Sequence, residues 1–231
     1  MENRKLELWM SVALILCAFA LAGQGWRQAS GSRVETADGK RTVVVDPGHG
    51  GKDPGKIGVD DSLEKEINLE IARKVQAILE SQDVEVILTR ESDEGLYEES
   101  ASNKKVQDLK NRCALINETQ PDCAVSIHQN SYHEEYVSGA QVFYYGNSEE
   151  GKRLAETIQG KLVDYLDPEN RRQAKANESY YLLKKTEVPI VIVECGFLSN
   201  WEEAKLLQDD GYQSRAAWAV AMGVVEYLNA R

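Results

Sequence analysis

The 231-residue sequence has little positive charge. It contains 27 Lys and Arg residues against 38 Asp and Glu residues, which gives a formal net charge of −11. Basic clusters such as Arg171–Arg172 are short. Because proteins that bind nucleic acids need a surplus of Lys and Arg on one face to neutralise phosphates, this composition argues against a nucleic-acid-binding function.

Cysteine is also scarce. The sequence has four cysteines and no CxxC pair, so no thiolate metal site is indicated. Cys17 lies in an N-terminal apolar segment, and the remaining three cannot all pair with one another. Cys113, Cys123 and Cys195 each lie in or beside an apolar run, which predicts that they are buried free thiols.

The sequence has a single long uncharged apolar run, residues 8–23 (LWMSVALILCAFALAG). This run follows Arg4 and Lys5. This pattern is typical of an export signal or a short membrane anchor. The run has sixteen residues, whereas a transmembrane helix needs about 20, and Ala20–Ala22 resembles a small-x-small cleavage site. Residues 1–23 are therefore predicted to be a signal peptide or a membrane anchor, and both alternatives remain open.

The rest of the chain divides into a linker and one domain. Residues 24–40 are rich in Gly, Ser, Gln and Arg, which is typical of a linker. Residues 41–231 are enough for one globular domain with a sizeable core. Together with the leader, this organisation predicts a domain that works outside the cytoplasmic membrane.

Strands and helices alternate along this domain. Runs of β-branched and aromatic residues predict strands at 42–45, 84–89, 122–128, 140–145 and 190–194, with a short edge strand at 180–184. Apolar residues at steps of three and four predict helices at 62–81, 104–117, 154–165, 201–207 and 216–228, the first of them capped by Asp60, Asp61 or Ser62. The alternation predicts an α/β fold, a three-layer α/β/α arrangement with a mostly parallel twisted sheet of about six strands.

Chemically active side chains follow three of these strands. Only three histidines occur in the sequence, and two of them come directly after β-branched runs: His49 in RTVVVDPGHGG and His128 in VSIH. Glu194 ends a third such run, IVIVE. Parallel strands bring their carboxyl ends to one edge, where α/β sheets bind ligands, so these side chains are expected to converge. Catalytic zinc uses three protein ligands and one open position, so a third ligand is needed besides the two histidines.

Two acidic residues are candidates for that third ligand. Glu64 lies close after the His49 loop, but Asp61-x-x-Glu64 is also a capping box with a purely structural use. Glu194 ends an apolar strand, where an unpaired carboxylate is costly, so it is expected to have a partner or a raised pKa. It is then either a general base beside the metal or half of a buried salt bridge to Arg112 or Lys65.

Seven segments, in this order and at these spacings, resemble the zinc-dependent N-acetylmuramoyl-L-alanine amidases of amidase family 3: VVVDPGHGG, LEKEINL, VILTRESD, NRCALIN, SIHQN, SGAQVFYYG and VECGFLSN. The resemblance runs from about Thr42 to Leu228. It implies the phosphorylase/hydrolase-like fold of zinc amidases and hydrolysis of the amide bond between N-acetylmuramic acid and L-alanine in peptidoglycan. It also implies a Zn²⁺ cofactor on His49, Glu64 and His128, with Glu194 as the catalytic residue.

Within the family, the short N-terminal apolar segment and the segments QDLKNRCALIN and SGAQVFYYG look most like the germination-specific amidases of spore-forming bacteria. This similarity implies removal of side peptides during spore cortex synthesis, in the forespore intermembrane space, as a step toward muramic-δ-lactam. Relatives that act in cell division carry an inserted blocking helix after the second histidine motif, whereas here eight residues separate Asn130 from Gly139. The site is therefore expected to be open unless an accessory protein covers it.

Three alternatives remain from the sequence. The chain is a vegetative cell-wall autolysin of the same chemistry, an amidase active only with a partner protein, or a non-catalytic wall-binding protein. Two further residues near the motifs have simple interpretations. Cys195 is expected to be a small packed side chain rather than a nucleophile, and His133 is expected to be a surface loop residue.

Overall fold

The computed structural model describes residues 40–231. The predicted leader at residues 1–23 and, except for Lys40, the predicted linker lie outside the described residues. None of the helices within residues 40–231 is long and apolar enough to span a bilayer. The described residues form one compact unit.

Six strands and six helices follow one another in residues 40–231. They are β1 (Thr42–Pro47), α1 (Glu64–Ser81), β2 (Glu85–Leu88), α2 (Lys104–Thr119), β3 (Cys123–Asn130), β4 (Gln141–Tyr144), α3 (Glu149–Tyr165), β5 (Lys175–Ala176), α4 (Tyr181–Lys185), β6 (Ile190–Phe197), α5 (Trp201–Leu207) and α6 (Asp210–Asn229).

The strands form one sheet in the order β2-β1-β3-β6-β4-β5. Strands β2, β1, β3 and β6 run parallel to one another, β4 runs antiparallel to β6, and β5 is parallel to β4. Helices α1, α3 and α6 pack on one face, and α2 and α4 pack on the other. The prediction of a three-layer α/β/α domain with a mostly parallel sheet of about six strands is confirmed.

Strand β1 contributes side chains to the cores on both faces of the sheet. Val43 and Val45 belong to the core under α1, whereas Val44 belongs to the core on the opposite face, and all three are fully buried. A strand that is covered on both faces has a continuous run of β-branched residues, and this run was the basis for predicting the strand. It ends at Pro47, and the following loop has His49 at φ +61°.

One predicted strand is wrong. Residues 180–184 were expected to form an edge strand, but Tyr181–Lys185 is a short helix, and the edge strand is Lys175–Ala176. Leu182 and Leu183 are adjacent and both bury into the same apolar cluster. Successive residues of a strand point to opposite faces, so a strand could not bury both side chains there.

Helix boundaries differ from the predictions where capping decides them. Helix α1 begins at Glu64 with Leu63 as its N-cap and no side-chain cap, so the expected capping by Asp60, Asp61 or Ser62 is wrong. Asp60 instead accepts hydrogen bonds from the backbone N–H and the hydroxyl of Ser62.

Helices α3 and α6 begin earlier than their apolar patterns indicate. Ser148 accepts a hydrogen bond from the Gly151 N–H at 3.0 Å, and Asp209 accepts one from the Tyr212 N–H at 2.8 Å. These N-caps start each helix about one and a half turns ahead of its first recurring apolar residue.

Candidate metal centre

The side chains singled out in the sequence meet at one edge of the sheet. Strands β1, β3 and β6 are adjacent and parallel, so their carboxyl ends lie side by side. His128 on β3 is the register partner of Glu194 on β6, and His49 follows the end of β1. The predicted convergence of both imidazoles and Glu194 is confirmed.

His49 is held on both sides of its ring. Its Nδ1 lies 3.0 Å from Oδ2 of Asp53, and its Nε2 lies 3.2 Å from Oε2 of Glu64. Burial alone would lower the pKa of this imidazole, but the hydrogen bonds and charges of Asp53 and Glu64 raise the pKa of His49 to about 9. The surroundings therefore favour positive charge at this position.

Glu64 lies at the centre of the cluster. Its side chain is 2 % exposed. Oε1 lies 2.9 Å from Nδ1 of His128 and accepts the Gln129 N–H at 3.1 Å, while Oε2 accepts the Lys56 N–H at 2.7 Å. Burial alone would raise the pKa of Glu64, but the two histidines hold it well below its usual range. The capping-box alternative is wrong, because this carboxylate faces the histidines and does not cap α1.

Two glycines make room for the cluster. A Cβ atom built on Gly48 would overlap the imidazole ring of His128, and one built on Gly55 would come within 2.8 Å of Cδ2 of His49. A side chain at either position would push the donors apart. Gly48 and Gly55 therefore allow the close approach of the two imidazoles.

The donor set fits a divalent metal ion. One donor atom from each of His49, Glu64 and His128 can be chosen so that all lie within 4.8 Å of one another. Two imidazoles and one carboxylate are ligands that zinc accepts, and three protein ligands leave a position open for chemistry. Asp53 and Glu64 favour a positive charge beside them, and a bound cation would supply that charge in place of a proton on His49.

Glu194 lies beside the donors but differs from them in its hydrogen bonding. Oε1 accepts a long hydrogen bond of 3.4 Å from the Tyr180 hydroxyl, and Oε2 is buried with no hydrogen-bond partner within residues 40–231. Burial raises the pKa of Glu194 to about 7, with a further increase from Glu64. The prediction of a partner or a raised pKa is confirmed, the raised pKa being the larger feature.

The salt-bridge alternative for Glu194 is wrong. Arg112 pairs with Asp46 and Asp108, each at 2.6 Å, and Lys65 pairs with Asp93 at 2.6 Å. Neither cation contacts Glu194. The carboxylate is thus left for a proton or for substrate.

A cavity of about 510 Å³ opens over this cluster. Besides the metal-donor residues and Glu194, its wall includes Asn130, Ser131, Tyr180, Tyr181 and Lys105. The segment 131–140 between β3 and β4 contains no helix, as expected from its length.

The remaining expectations near the site hold. The three cysteines among the described residues are free and buried. Burial raises the pKa of the Cys195 thiol to about 12, which excludes a thiolate nucleophile near neutral pH. The side chain of His133 is 72 % exposed in the loop after β3.

Two residues of the site were not identified from the sequence. Asp53 orients the His49 ring, and Tyr180 donates to Glu194. A carboxylate that binds the second nitrogen of a metal-binding histidine is a recurring arrangement, so the spacing His49-x-x-x-Asp53 could have indicated the first. Tyr180 carries no such signal, because it lies in a loop far from Glu194's strand motif.

Comparisons with known proteins agree with this geometry. Residues 43–226 match the family described as N-acetylmuramoyl-L-alanine amidase. The chain is 39% identical over 191 residues to the germination-specific N-acetylmuramoyl-L-alanine amidase of Bacillus subtilis, covering 81% of this chain and 80% of the relative.

Solved structures are similar as well. The CwlD amidase of Clostridioides difficile, solved in complex with the GerS lipoprotein, superposes with a TM-score of 0.81 at 41% identity, covering 83% of this chain and 100% of that chain. An N-acetylmuramoyl-L-alanine amidase of Clostridium difficile 630 superposes with a TM-score of 0.73 at 31% identity, covering 83% and 98%.

Proposed function

The chain belongs to the N-acetylmuramoyl-L-alanine amidase family, and from this membership we propose that it is a zinc amidase whose ligands are His49, Glu64 and His128 and whose general base is Glu194. The observation that carries the proposal is the pairing of two features at one sheet edge. Three metal-type donors lie within 4.8 Å of one another, and beside them a buried carboxylate has an oxygen without a partner among residues 40–231.

A bound zinc ion supplies Lewis-acid chemistry: it lowers the pKa of water toward neutrality and polarises a carbonyl group. Glu194, whose carboxylate lines the cavity beside the metal donors, accepts the proton of the attacking water. As the C–N bond between the lactyl group and L-alanine breaks, Glu194 returns that proton to the departing amine nitrogen. The products are the free lactyl carboxylate of muramic acid and a peptide that begins at L-alanine.

The whole 231-residue chain, purified and incubated with peptidoglycan fragments, tests this proposal by mass spectrometry. We expect free peptides beginning at L-alanine when zinc is bound, one zinc per chain, and no release after treatment with a chelator. His128→Ala is expected to lose both zinc and activity, and His133→Ala, in the exposed loop, is the matched control that should keep both. Peptide release by a zinc-free chain would overturn the metal assignment, and bound zinc without release would favour the partner-dependent or non-catalytic alternatives.

We further propose a role in spore cortex synthesis, outside the cytoplasmic membrane. The support is the 39% identity to the germination-specific amidase of Bacillus subtilis over most of both chains. Expression in a Bacillus subtilis strain that lacks this relative is expected to restore muramic-δ-lactam to the cortex. Activity of the purified enzyme without restoration of the lactam would favour a vegetative autolysin.

We also propose that an accessory protein assists the enzyme, since the related CwlD amidase was solved in complex with the GerS lipoprotein. The cavity lies uncovered by any helix of the 131–140 segment, which leaves room for a partner. At limiting zinc, extract of sporulating cells is expected to increase the zinc occupancy of the chain and its rate of peptide release. No increase in either quantity would contradict this proposal.

A further inference from the structure

The loop that carries His49 rests on a buried arginine from α2. Arg112 has a side chain that is 2 % exposed, and its guanidinium faces the backbone of residues 46–49. Nη1 donates to the Pro47 carbonyl at 2.8 Å, and Nη2 donates to the His49 carbonyl at 2.6 Å. Arg112 thus binds the backbone of His49 directly.

Three successive carbonyls of this loop are held by side chains. Besides Arg112, Arg90 donates to the Pro47 carbonyl at 3.0 Å and to the Gly48 carbonyl at 3.1 Å, and Asn68 donates to the Gly48 carbonyl at 3.1 Å. The His49 carbonyl has only Arg112 as a side-chain donor among the described residues. The other two carbonyls would keep a partner if Arg112 were shortened, but this one would not.

The conformation of His49 needs such support. Its φ of +61° lies in the left-handed region, which strains the backbone of a residue other than glycine and persists only where the surroundings impose it. The direction of the His49 side chain depends on this φ. A change of the loop would therefore move Nε2 away from Glu64.

The guanidinium itself is fixed by two carboxylates. Nη1 donates to Asp46 and Nε donates to Asp108, each at 2.6 Å. Asp46 in turn accepts from the hydroxyls of Thr89 and Ser126 at 2.6 Å each. A planar guanidinium that donates from all three of its nitrogens is held in one orientation. A lysine ammonium cannot make the same set of hydrogen bonds.

We infer that Arg112 is a positioning residue that acts through the His49 carbonyl to hold the imidazole in the geometry required for metal binding. The inference rests on the proposed zinc site and adds a residue that is not one of its three proposed ligands. Removal of a residue that orients a ligand typically weakens metal binding by about 10–100-fold. Arg112→Lys is expected to weaken zinc binding by a factor in this range.

The test measures the zinc dissociation constant of the full-length chain by competition with a chromophoric chelator. Arg112→Lys is compared with wild type and with Arg73→Lys, a matched control in which the guanidinium also binds a backbone carbonyl, that of Glu91 at 2.6 Å, but on the exposed face of α1. Far-UV circular dichroism of the zinc-free proteins reports whether each one is folded. We expect weaker binding in folded Arg112→Lys and no change in Arg73→Lys.

The outcomes separate this inference from the proposed function. Wild type tests the metal site, and the ratio between Arg112→Lys and wild type tests the positioning role. Zinc binding by folded Arg112→Lys within about twofold of wild type would overturn the inference. If Arg112→Lys does not fold, the double variant Asp46→Asn/Arg112→Met, which removes both buried charges, is measured in its place, and unchanged zinc affinity there would likewise overturn it.

Discussion

Two buried carboxylates at the same sheet edge have opposite surroundings. Asp46 on β1 is 1 % exposed and accepts three hydrogen bonds of 2.6 Å, from Thr89, Arg112 and Ser126. Glu194 on β6 is 6 % exposed and accepts one bond of 3.4 Å. Burial acts on both, but their partners differ.

The pKa values follow the partners rather than the burial. Burial alone would raise the pKa of Asp46, but the Arg112 charge and the hydrogen bonds from Ser126 and Thr89 lower it to about 2. Burial raises the pKa of Glu194 to about 7, because the charges of the two histidines and the single donor among residues 40–231, Tyr180, only partly oppose it. Asp46 is therefore a fixed charge that stabilises the loop, whereas Glu194 can exchange a proton near neutral pH.

The Glu194→Gln substitution should have the largest effect on the rate of peptide release. Glu194→Gln keeps the shape of the side chain but cannot accept a proton, so we expect the rate of peptide release to fall by about 10²–10⁴-fold, with zinc binding kept. The measurement is the initial rate of peptide release by zinc-loaded protein.

Glu203→Gln is the control for that change. Glu203 is also a largely buried carboxylate, but it binds the N–H groups of Gly139 and Phe197 and does not line the cavity. This variant should release peptide at a rate close to that of wild type. Activity of Glu194→Gln similar to that of Glu203→Gln would remove Glu194 from the mechanism.

The Asp46→Asn substitution should lower the free energy of unfolding rather than the rate of peptide release. Asp46→Asn leaves Arg112 with a buried charge that has lost a partner, and breaking such a pair costs about 3–5 kcal/mol. Urea denaturation of the zinc-free protein measures the free energy of unfolding. Glu194→Gln in the same assay should lose less than 1 kcal/mol or gain stability, since it removes a poorly partnered carboxylate. Equal losses in the two variants would show that the contrast between the carboxylates is not energetic.

The contribution of Asp46 to the free energy of unfolding should depend on pH. Because the pKa of Asp46 is lower in the folded chain than its ordinary value of 3.8, its contribution is fully present above that value and is lost as the pH falls from about 4 toward 2. The shift corresponds to about 2 kcal/mol. The difference in unfolding free energy between wild type and Asp46→Asn should therefore shrink by about that amount between pH 5 and pH 2.5. A difference independent of pH over this interval would contradict the assignment.

The smallest expected effect is at Tyr180. Tyr180→Phe removes a single long hydrogen bond to Glu194 and keeps the ring that packs edge-on against Phe143. A hydrogen bond as long as this one is at the weak end of the range and contributes about 0.5–1.5 kcal/mol, so peptide release should slow by less than about tenfold. A loss as large as that of Glu194→Gln would instead give the hydroxyl a direct role toward substrate.

The fold and the main site residues were predictable because they rest on local pattern. A buried strand followed by a glycine-rich break needs only a few neighbouring residues to be recognised, and parallel strands then bring His49, His128 and Glu194 together. Glu64 was different, since a capping box and a metal ligand have the same local sequence. The resemblance to known amidases favoured the ligand, and the contacts of the carboxylate with both histidines agree with it.

What could not be predicted depends on distant partners. Arg112 lies 66 residues from Asp46 along the chain, and nothing near either residue indicates their pairing. The same holds for Tyr180, 14 residues before Glu194 but on a separate element. The error at residues 180–184 arose because two adjacent leucines fit a strand and a short helix equally well until their shared apolar cluster is known.

The strand order has a consequence for how the chain is made. Strand β6 is among the last elements in sequence, yet it inserts between β3 and β4 in the middle of the sheet. All three proposed zinc ligands precede residue 130, so they emerge during synthesis well before β6. Until β6 arrives, one edge of β3 is unpaired, and such edges are prone to pair with other chains. Insertion of β6 thus completes the sheet and brings Glu194 to the site in one event.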